Sequence, residues 1–395
     1  MSDTVPLPLF PVTVVGSWPR PPALLRALKQ RQGGEITEAE FELAADAAVL
    51  EVVQAQEEAG VDMVSDGEQR RDNFFSFLSE KLEGVQLMTL ADLLEYAEDK
   101  AYFDRTLRAL DAPSFSIRSP TVVGRLRLRA PLAANGTAFV RRHTRKAIKV
   151  ALPGPYLLAR AMWVAGISDG AYRTREALAA DVVTILRDEV ARLVEAGADF
   201  VQLDEPVLTD VVFRPPVAVR SFMCAPLAAQ ETDTEGELRW AVELVNAVVQ
   251  GAGVRTGLHV CRGNWTRNEA VLHSGSYVPL LTALEATAVD QWVLEFATPR
   301  AGELEVFRGH AGREIGLGVV NPRIVDVETP TAIVGRVREA LRHFDPTRVW
   351  LNPDCGFGTF AERPVAHADA AAAKLRAMVA AAAMLRDHPN TAARI

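Results

Sequence analysis

Cysteine is scarce in this sequence, which has only three, Cys224, Cys261 and Cys355, in 395 residues. An odd and sparse set of thiols argues against a disulfide-stabilised secreted scaffold. It is typical of a reducing compartment, where thiols stay free or bind metals. The first eleven residues contain three prolines and no basic segment leading into an apolar one, so no secretory signal is expected. We therefore predict a cytoplasmic protein.

Long apolar runs and an excess of positive charge are also absent. No stretch approaches the roughly 18–20 apolar residues that a membrane-spanning helix needs. The net charge is −8 and both signs are mixed along the chain, which argues against nucleic acid or a membrane as partner. No dinucleotide fingerprint, Walker loop or serine nucleophile elbow occurs, so these chemistries have no support. Hydrophobic residues make up 49% of the chain, enough for a large core.

Eight short β-branched or apolar runs are present, each ending in glycine, proline or polar residues and usually followed by a helical pattern. They cover residues 12–15, 61–64, 149–152, 198–203, 255–261, 291–294, 314–317 and 349–351. Eight such units predict a single (β/α)8 TIM barrel over residues 1–395. A doubly wound open sheet is the alternative, but it would need a glycine-rich phosphate loop after the first strand. Irregular stretches predict an insertion or small subdomain after strand two (85–145) and an insertion after strand four (about 207–233).

The carboxyl ends of the predicted strands carry polar residues, and in a barrel these ends converge on one mouth. Loops are polar in most proteins, which accounts for residues such as Asp66 or Asn321. It accounts poorly for two of only three cysteines. It also accounts poorly for Glu295, which directly continues an apolar run and would be costly to bury without a cation. The polar strand ends are Ser17, Asp66, Glu68, Asp204, Glu205, His259, Cys261, Glu295, Asn321, Asp354 and Cys355.

A metal site is the simplest explanation for part of this set. His259 and Cys261 lie two apart on a strand and so point to the same side, although alone they could be a core imidazole and a buried thiol. With Glu295 and Cys355 they supply one nitrogen, one oxygen and two sulfurs, a tetrahedral set suited to zinc. Such a site would carry about one net negative charge and be a poor Lewis acid for water. It is better suited to hold an incoming thiol, whose pKa of about 8.5 a metal lowers, for attack on an electrophilic carbon.

Several motifs in the same order resemble the catalytic barrel of the cobalamin-independent methionine synthases. These motifs are Val15-Gly-Ser17, Asp66-Gly-Glu68, Gln202-Leu-Asp-Glu-Pro206, Leu258-His-Val-Cys261, Leu294-Glu295 and Asn352-Pro-Asp-Cys-Gly356. The resemblance implies one zinc ion at His259, Cys261, Glu295 and Cys355. It also implies that homocysteine, the thiol to be methylated, is held at its carboxylate by Gly16 and Ser17 and at its ammonium by Glu68 and Asp204.

The methyl donor is less well defined by the sequence. The chain resembles a short, core form of the family, without the additional N-terminal barrel of the long members. Folate-using members carry a histidine after the seventh strand, but residues 318–326 contain none. The proton donor is therefore unidentified, unless His273 or Asp326 substitutes. The donor stays undecided between 5-methyltetrahydrofolate and methylcobalamin. We expect methylcobalamin, or a corrinoid protein as partner, to serve more readily, since it leaves without a proton.

Three other functions remain open from the sequence. The epoxyalkane:coenzyme M transferases are similar to the same barrel and add a zinc-bound thiolate to an epoxide. Such an enzyme would need cations for a sulfonate, for which Arg70, Arg71 or Arg262 are available. Glu68 and Asp204 instead favour a thiol that carries an amino group. A structural zinc protein and a non-catalytic ligand-binding barrel are the two non-enzymatic alternatives.

Overall fold

A computed structural model describes residues 6–96, 100–101, 118–213, 233–310 and 312–387. In these residues, seven parallel strands form one sheet in the order β1-β4-β5-β6-β7-β8-β9. The strands of this sheet are β1 (Met63–Val64), β4 (Ala147–Pro153), β5 (Phe200–Asp204), β6 (Arg255–Val260), β7 (Gln291–Leu294), β8 (Glu314–Val320) and β9 (Val349–Pro353). Most of their residues are buried, as expected for parallel strands covered by helices.

The helices fall between these strands and at both ends of the described chain. The helix predicted between Thr37 and Gly60 is confirmed: Thr37 and Glu40 form a capping box, and Gly60 ends the helix with a φ of 87°. The helix predicted over residues 174–196 is confirmed as well. The described helices are α1 (Pro22–Gln32), α2 (Glu38–Ala59), α3 (Leu78–Lys81), α4 (Leu90–Leu93), α5 (Ala134–His143), α6 (Pro155–Met162), α7 (Arg175–Glu195), α8 (Val207–Phe213), α9 (Thr234–Val249), α10 (Leu281–Ala286), α11 (Pro330–Ala340) and α12 (Ala368–Asp387).

The segment around Val12 connects the two edges of the sheet. On one side, the Thr13 amide donates to the Leu351 carbonyl of β9 at 3.0 Å, and the Leu351 amide donates to Pro11 at 2.8 Å. On the other side, the Asp62 amide donates to the Val12 carbonyl at 2.8 Å, next to β1. The two edge strands therefore meet at this segment.

The predicted first strand, residues 12–15, is wrong as a full strand, because only an isolated bridge from Val12 to Leu351 forms. The reason lies in the hydrogen bonds that follow. The carbonyls of Val15 and Gly16 accept from the side chains of Gln202 and Ser65, not from a neighbouring backbone. Backbone groups bound by side chains in this way are not available for a strand ladder.

In the described parts of residues 82–143, the alternation of strand and helix is interrupted. There β2 (Leu82–Thr89) pairs antiparallel with β3 (Arg118–Leu128), and α5 follows. The buried Glu189 of α7 accepts from the amides of Ala133 and Ala134, which ties the start of α5 to the main body. These elements overlap the range 85–145, whose role as an insertion or subdomain stays a prediction. Of the second predicted insertion, α8 is described, whereas residues 214–232, with Cys224, lie outside the described residues.

The two ends of the sheet differ in character. Met63, Ala147, Phe200 and Trp350 form a buried apolar cluster near the amino ends of their strands. The carboxyl ends carry polar and sulfur-containing residues. Among the described helices, none is long and apolar enough to cross a membrane. The fold therefore leaves the carboxyl ends of the strands as the place for chemistry.

Candidate metal centre and substrate cleft

Three of the four predicted metal ligands converge. One ligand atom each of His259, Cys261 and Cys355 lies within 4.8 Å of the other two, and all three residues are buried. His259 and Cys261 stand at the end of β6, and Cys355 follows β9. The imidazole Nδ1 is 3.0 Å from the Val293 carbonyl, so it donates there, and Nε2 is left without a hydrogen-bond partner. A ring fixed at one nitrogen and free at the other is the usual state of a metal-binding histidine.

The two thiols interact directly and form no disulfide. A hydrogen bond from Cys355, together with His259, lowers the pKa of Cys261 to about 5, although burial opposes this. The same hydrogen bond raises the pKa of Cys355 well above its usual value. A cation bound between the two thiols would favour the ionised form of both. Two sulfurs and a free imidazole nitrogen fit zinc well.

Glu295, the fourth predicted ligand, is not part of this group. Its Oε1 accepts from the Arg262 amide at 2.8 Å, and its Oε2 accepts from Arg300 at 2.7 Å and Arg323 at 3.2 Å. Burial alone would raise the pKa of Glu295, but Arg323 and Arg300 lower it to about 2. The carboxylate is thus ionised, fully buried and close enough to affect both thiols electrostatically. Its role as a metal ligand stays a prediction.

Arg323 joins this carboxylate to two others. Its guanidinium is fully buried and lies 3.6 Å from Asp354 and 3.2 Å from Glu269. Burial opposes the charge, but Glu295 and Asp354 raise the pKa of Arg323 overall, so it is a permanent cation. Sequence reasoning missed this residue. The sequence did contain an indication of it, because burying the carboxylate of Glu295 requires a nearby cation. Sequence reasoning assigned that role to the metal alone.

One cleft contains the three converging ligands and three of the predicted substrate residues. The cleft contains about 510 Å³ of empty space, part of which is open to solvent at its mouth. Among the described residues, no lysine or arginine lines it, and its walls are largely apolar. The lining residues are Val15, Ser17, Glu68, Phe74, Asp204, Pro206, His259, Cys261, Gly263, Asn264, Trp265, Cys355, Gly356, Thr359 and Phe360.

Gly16, the remaining predicted substrate residue, does not line the cleft but supports it. A Cβ atom at this position would collide with Oε1 of Glu68. Glycine is therefore needed for the carboxylate to lie against the backbone there. The aromatic walls of the cleft are Phe74, Trp265 and Phe360, and sequence reasoning did not identify Phe74 or Phe360.

The cleft holds two carboxylates that lack full compensation. Burial raises the pKa of Glu68 to about 7; Arg71 opposes this and Asp204 adds to it. Oε2 of Glu68 has no hydrogen-bond partner, and its nearest cation, Arg71, is 3.8 Å away. Burial raises the pKa of Asp204 to about 6, although His259 and a 2.7 Å hydrogen bond from Gln202 oppose it. A cation placed between the two carboxylates would stabilise both.

Other polar strand ends serve the structure. The buried Glu205 accepts from the amides of Tyr156 and Leu157 at the start of α6, so it caps a helix. Asn321 donates to Glu269. His273 is fully buried 3.5 Å from Asp210 and does not line the cleft.

The fold and the cleft together define a parallel α/β protein with a thiol-rich candidate metal centre at the carboxyl ends of its strands. The family described as "Cobalamin-independent synthase, Catalytic domain" matches residues 10–384, so the chain belongs to this family. A methionine synthase of Sulfurisphaera tokodaii is 29% identical over 89% of this chain and 86% of its own length. A methionine synthase of Pyrococcus abyssi is 28% identical over 89% and 87%.

Solved structures show the same fold. A B12-independent methionine synthase from Shewanella sp. W3-18-1, in complex with selenomethionine, has a TM-score of 0.73 at 22% identity. The match covers 97% of this chain and all of that one. A methyltransferase from Methanosarcina mazei has a TM-score of 0.56 at 15% identity, covering 96% and 95%.

The converging thiols generate a prediction about metal content. Cys261→Ser and Cys355→Ser should each reduce bound zinc from one per chain to a small fraction, because each removes one of two sulfur ligands. Glu295→Gln should reduce zinc retention under a competing chelator if this carboxylate is a ligand. Elemental analysis of purified, dialysed protein measures all three. Cys224→Ser is the matched control and should keep its zinc, whereas full retention in both ligand variants would contradict the site.

Proposed function

We propose that this chain is a zinc-dependent S-methyltransferase that methylates homocysteine to methionine. The observation that carries the proposal is the single cleft that joins the sulfur-rich centre to two uncompensated carboxylates. Homocysteine has a thiol at one end and an ammonium at the other, and so matches both. We also propose that the seven strands and the segment at Val12 act as a closed (β/α)8 barrel, whose mouth is this cleft.

Each residue has a defined task in this proposal. His259, Cys261, Cys355 and Glu295 hold zinc, which when bound would keep a substrate thiol nucleophilic at neutral pH. Glu68 and Asp204 hold the substrate ammonium. Ser17 binds its carboxylate, and Gly16, which does not line the cleft, leaves room for Glu68 beside the backbone. The aromatic walls exclude water from the reacting sulfur.

The names of the relatives support this assignment, since both described above are methionine synthases. The epoxide-opening alternative finds less support. Arg70 is engaged with Glu42 and Asp46, and Arg71 donates to the Ala151 carbonyl. Arg262 is fully buried and lies over the ring of Tyr277. None of the three arginines lines the cleft, so a sulfonate would find no cationic partner among its described lining residues.

The methyl donor is proposed on narrower grounds. The loop after β8 places Arg323 near the metal centre, and a permanently charged guanidinium cannot deliver a proton. His273 does not line the cleft, and Asp326 is exposed with its carbonyl bound by Lys374. We therefore retain methylcobalamin as the preferred donor. Nothing in the comparisons supports a corrinoid protein as partner, and the family is described as cobalamin-independent.

A first prediction concerns pH. Binding of homocysteine to the zinc-loaded protein should weaken about tenfold from pH 8 to pH 6. Glu68 has a pKa of about 7, and ammonium binding favours its ionised form, which is lost as the pH falls. Asp204, with a pKa of about 6, adds to the loss at the low end. Isothermal titration calorimetry measures the affinity at each pH.

The matched ligand is 4-mercaptobutanoate, which keeps the thiol and carboxylate of homocysteine but lacks its amine. The change of its affinity with pH therefore reports the contribution of the thiol, without that of the ammonium. Glu68→Gln should reduce the extra pH dependence of homocysteine towards that of this ligand. The ratio of the affinities for homocysteine and 4-mercaptobutanoate should differ between pH 6 and pH 8. An equal ratio at both pH values would contradict the role of Glu68 in binding the ammonium.

A second prediction concerns the donor. The purified enzyme with homocysteine should form methionine faster from methylcobalamin than from 5-methyltetrahydrofolate, supplied separately. The folate nitrogen must be protonated as it leaves, and a missing general acid commonly costs about 10²–10⁴-fold. The Cys355→Ser variant is the control for uncatalysed transfer. Faster turnover with methyltetrahydrofolate would overturn the donor assignment, and no product with either would point to another electrophile.

A further inference from the structure

Arg20 connects three segments at the mouth. It is only 5% exposed, and its guanidinium donates to backbone carbonyls alone. It bonds to Glu68 and Arg71 at 2.9 Å each, to Trp18 at 3.4 Å and also to Gly358. These carbonyls belong to the N-terminal segment, the loop after β1 and the loop after β9.

The loop after β1 holds Glu68 in an unusual conformation. Its φ is 56°, in the left-handed region that residues other than glycine rarely adopt. Hydrogen bonds fix Glu68 on both sides: the Glu68 amide donates to Oδ1 of Asp66 at 2.9 Å, and the Glu68 carbonyl accepts from Arg20. A strained residue fixed by its surroundings is common where a side chain must be aimed.

The loop after β9 carries the metal ligand Cys355 and packs on the N-terminal segment. The Phe357 amide donates to the Ser17 carbonyl at 2.9 Å. A Cβ at Gly356 would collide with the Ser17 hydroxyl, so the two backbones are in close contact. Arg20 is thus bonded to the loops that present both ends of the proposed substrate site.

We propose that Arg20 is a positioning residue that fixes the separation between the ammonium site at Glu68 and the sulfur site at Cys355. The inference rests on the proposed function and deepens it. A fixed separation selects a thiol by the number of carbons between its sulfur and its amine. Homocysteine has one methylene more than cysteine between its sulfur and the carbon that bears its amine, so one fixed separation cannot suit both thiols equally.

The test compares zinc-loaded wild type with Arg20→Lys, whose single ammonium cannot bond to four carbonyls. Calorimetry should show homocysteine binding weakened about tenfold. Binding of 4-mercaptobutanoate, which has no amine to place, should be unchanged. The preference for homocysteine over cysteine should fall in the variant. Zinc content and circular dichroism establish that the variant is folded and metal-loaded.

Asp66 provides a second arm that leaves Arg20 intact. Asp66→Ala removes the acceptor for the Glu68 amide and should reproduce the selective loss of homocysteine binding. Asp66→Asn keeps an acceptor oxygen at the same place and should restore most of the affinity.

Three outcomes would overturn the inference. Arg20→Lys could bind homocysteine as tightly as wild type, or lose affinity for both thiols equally. It could lose its zinc, which would make Arg20 a support for the metal loop. A zinc-loaded wild type that binds no homocysteine would overturn the proposed function itself, and this is seen before any variant is made.

Discussion

Burying charge away from water is the constraint on which the site depends. Two thiols, an imidazole and the carboxylates of Glu295 and Asp354 lie in a region with almost no solvent access. Burying such groups without partners costs folding free energy, and their combined negative charge exceeds what a single cation can neutralise. The protein pairs Arg300 and Arg323 with the carboxylates, whereas the two thiols hydrogen-bond to each other and Nε2 of the imidazole is left without a partner. That imbalance is what makes the centre suited to a metal.

The same constraint explains the division of the cleft. Its sulfur end lies on the buried arginine network. Its other end presents Glu68, whose ion pair with Arg71 is long at 3.8 Å, and Asp204, whose pKa burial raises to about 6. A substrate with a thiol and an ammonium would compensate both ends at once. The loops that present these ends are connected through Arg20, Ser17 and Gly356.

Much of the fold and part of the site could be predicted from sequence, because they follow from local patterns. Parallel strands can be recognised in a sequence as apolar runs, and the residues at their carboxyl ends lie close together in the fold. This rule was sufficient to predict that His259, Cys261 and Cys355 converge. The predicted first strand was too long, because backbone carbonyls at its end accept hydrogen bonds from the side chains of Gln202 and Ser65, which are distant in sequence. The partners of Glu295 were missed for the same reason, since Arg323 approaches it only in the folded chain. Arg20 bonds to backbone carbonyls as far away as Gly358, a pattern that no sequence motif encodes.

The central claim is that the thiol of homocysteine binds the metal held by His259, Cys261 and Cys355. X-ray absorption at the zinc edge tests it directly, by counting sulfur neighbours of the metal with and without the substrate. We predict about two sulfurs in the free enzyme and about three with homocysteine, as expected for a site with an exchangeable position. An unchanged spectrum would contradict the account and favour a structural metal. A change with coenzyme M and none with homocysteine would instead favour a thiol that lacks the amino-acid end.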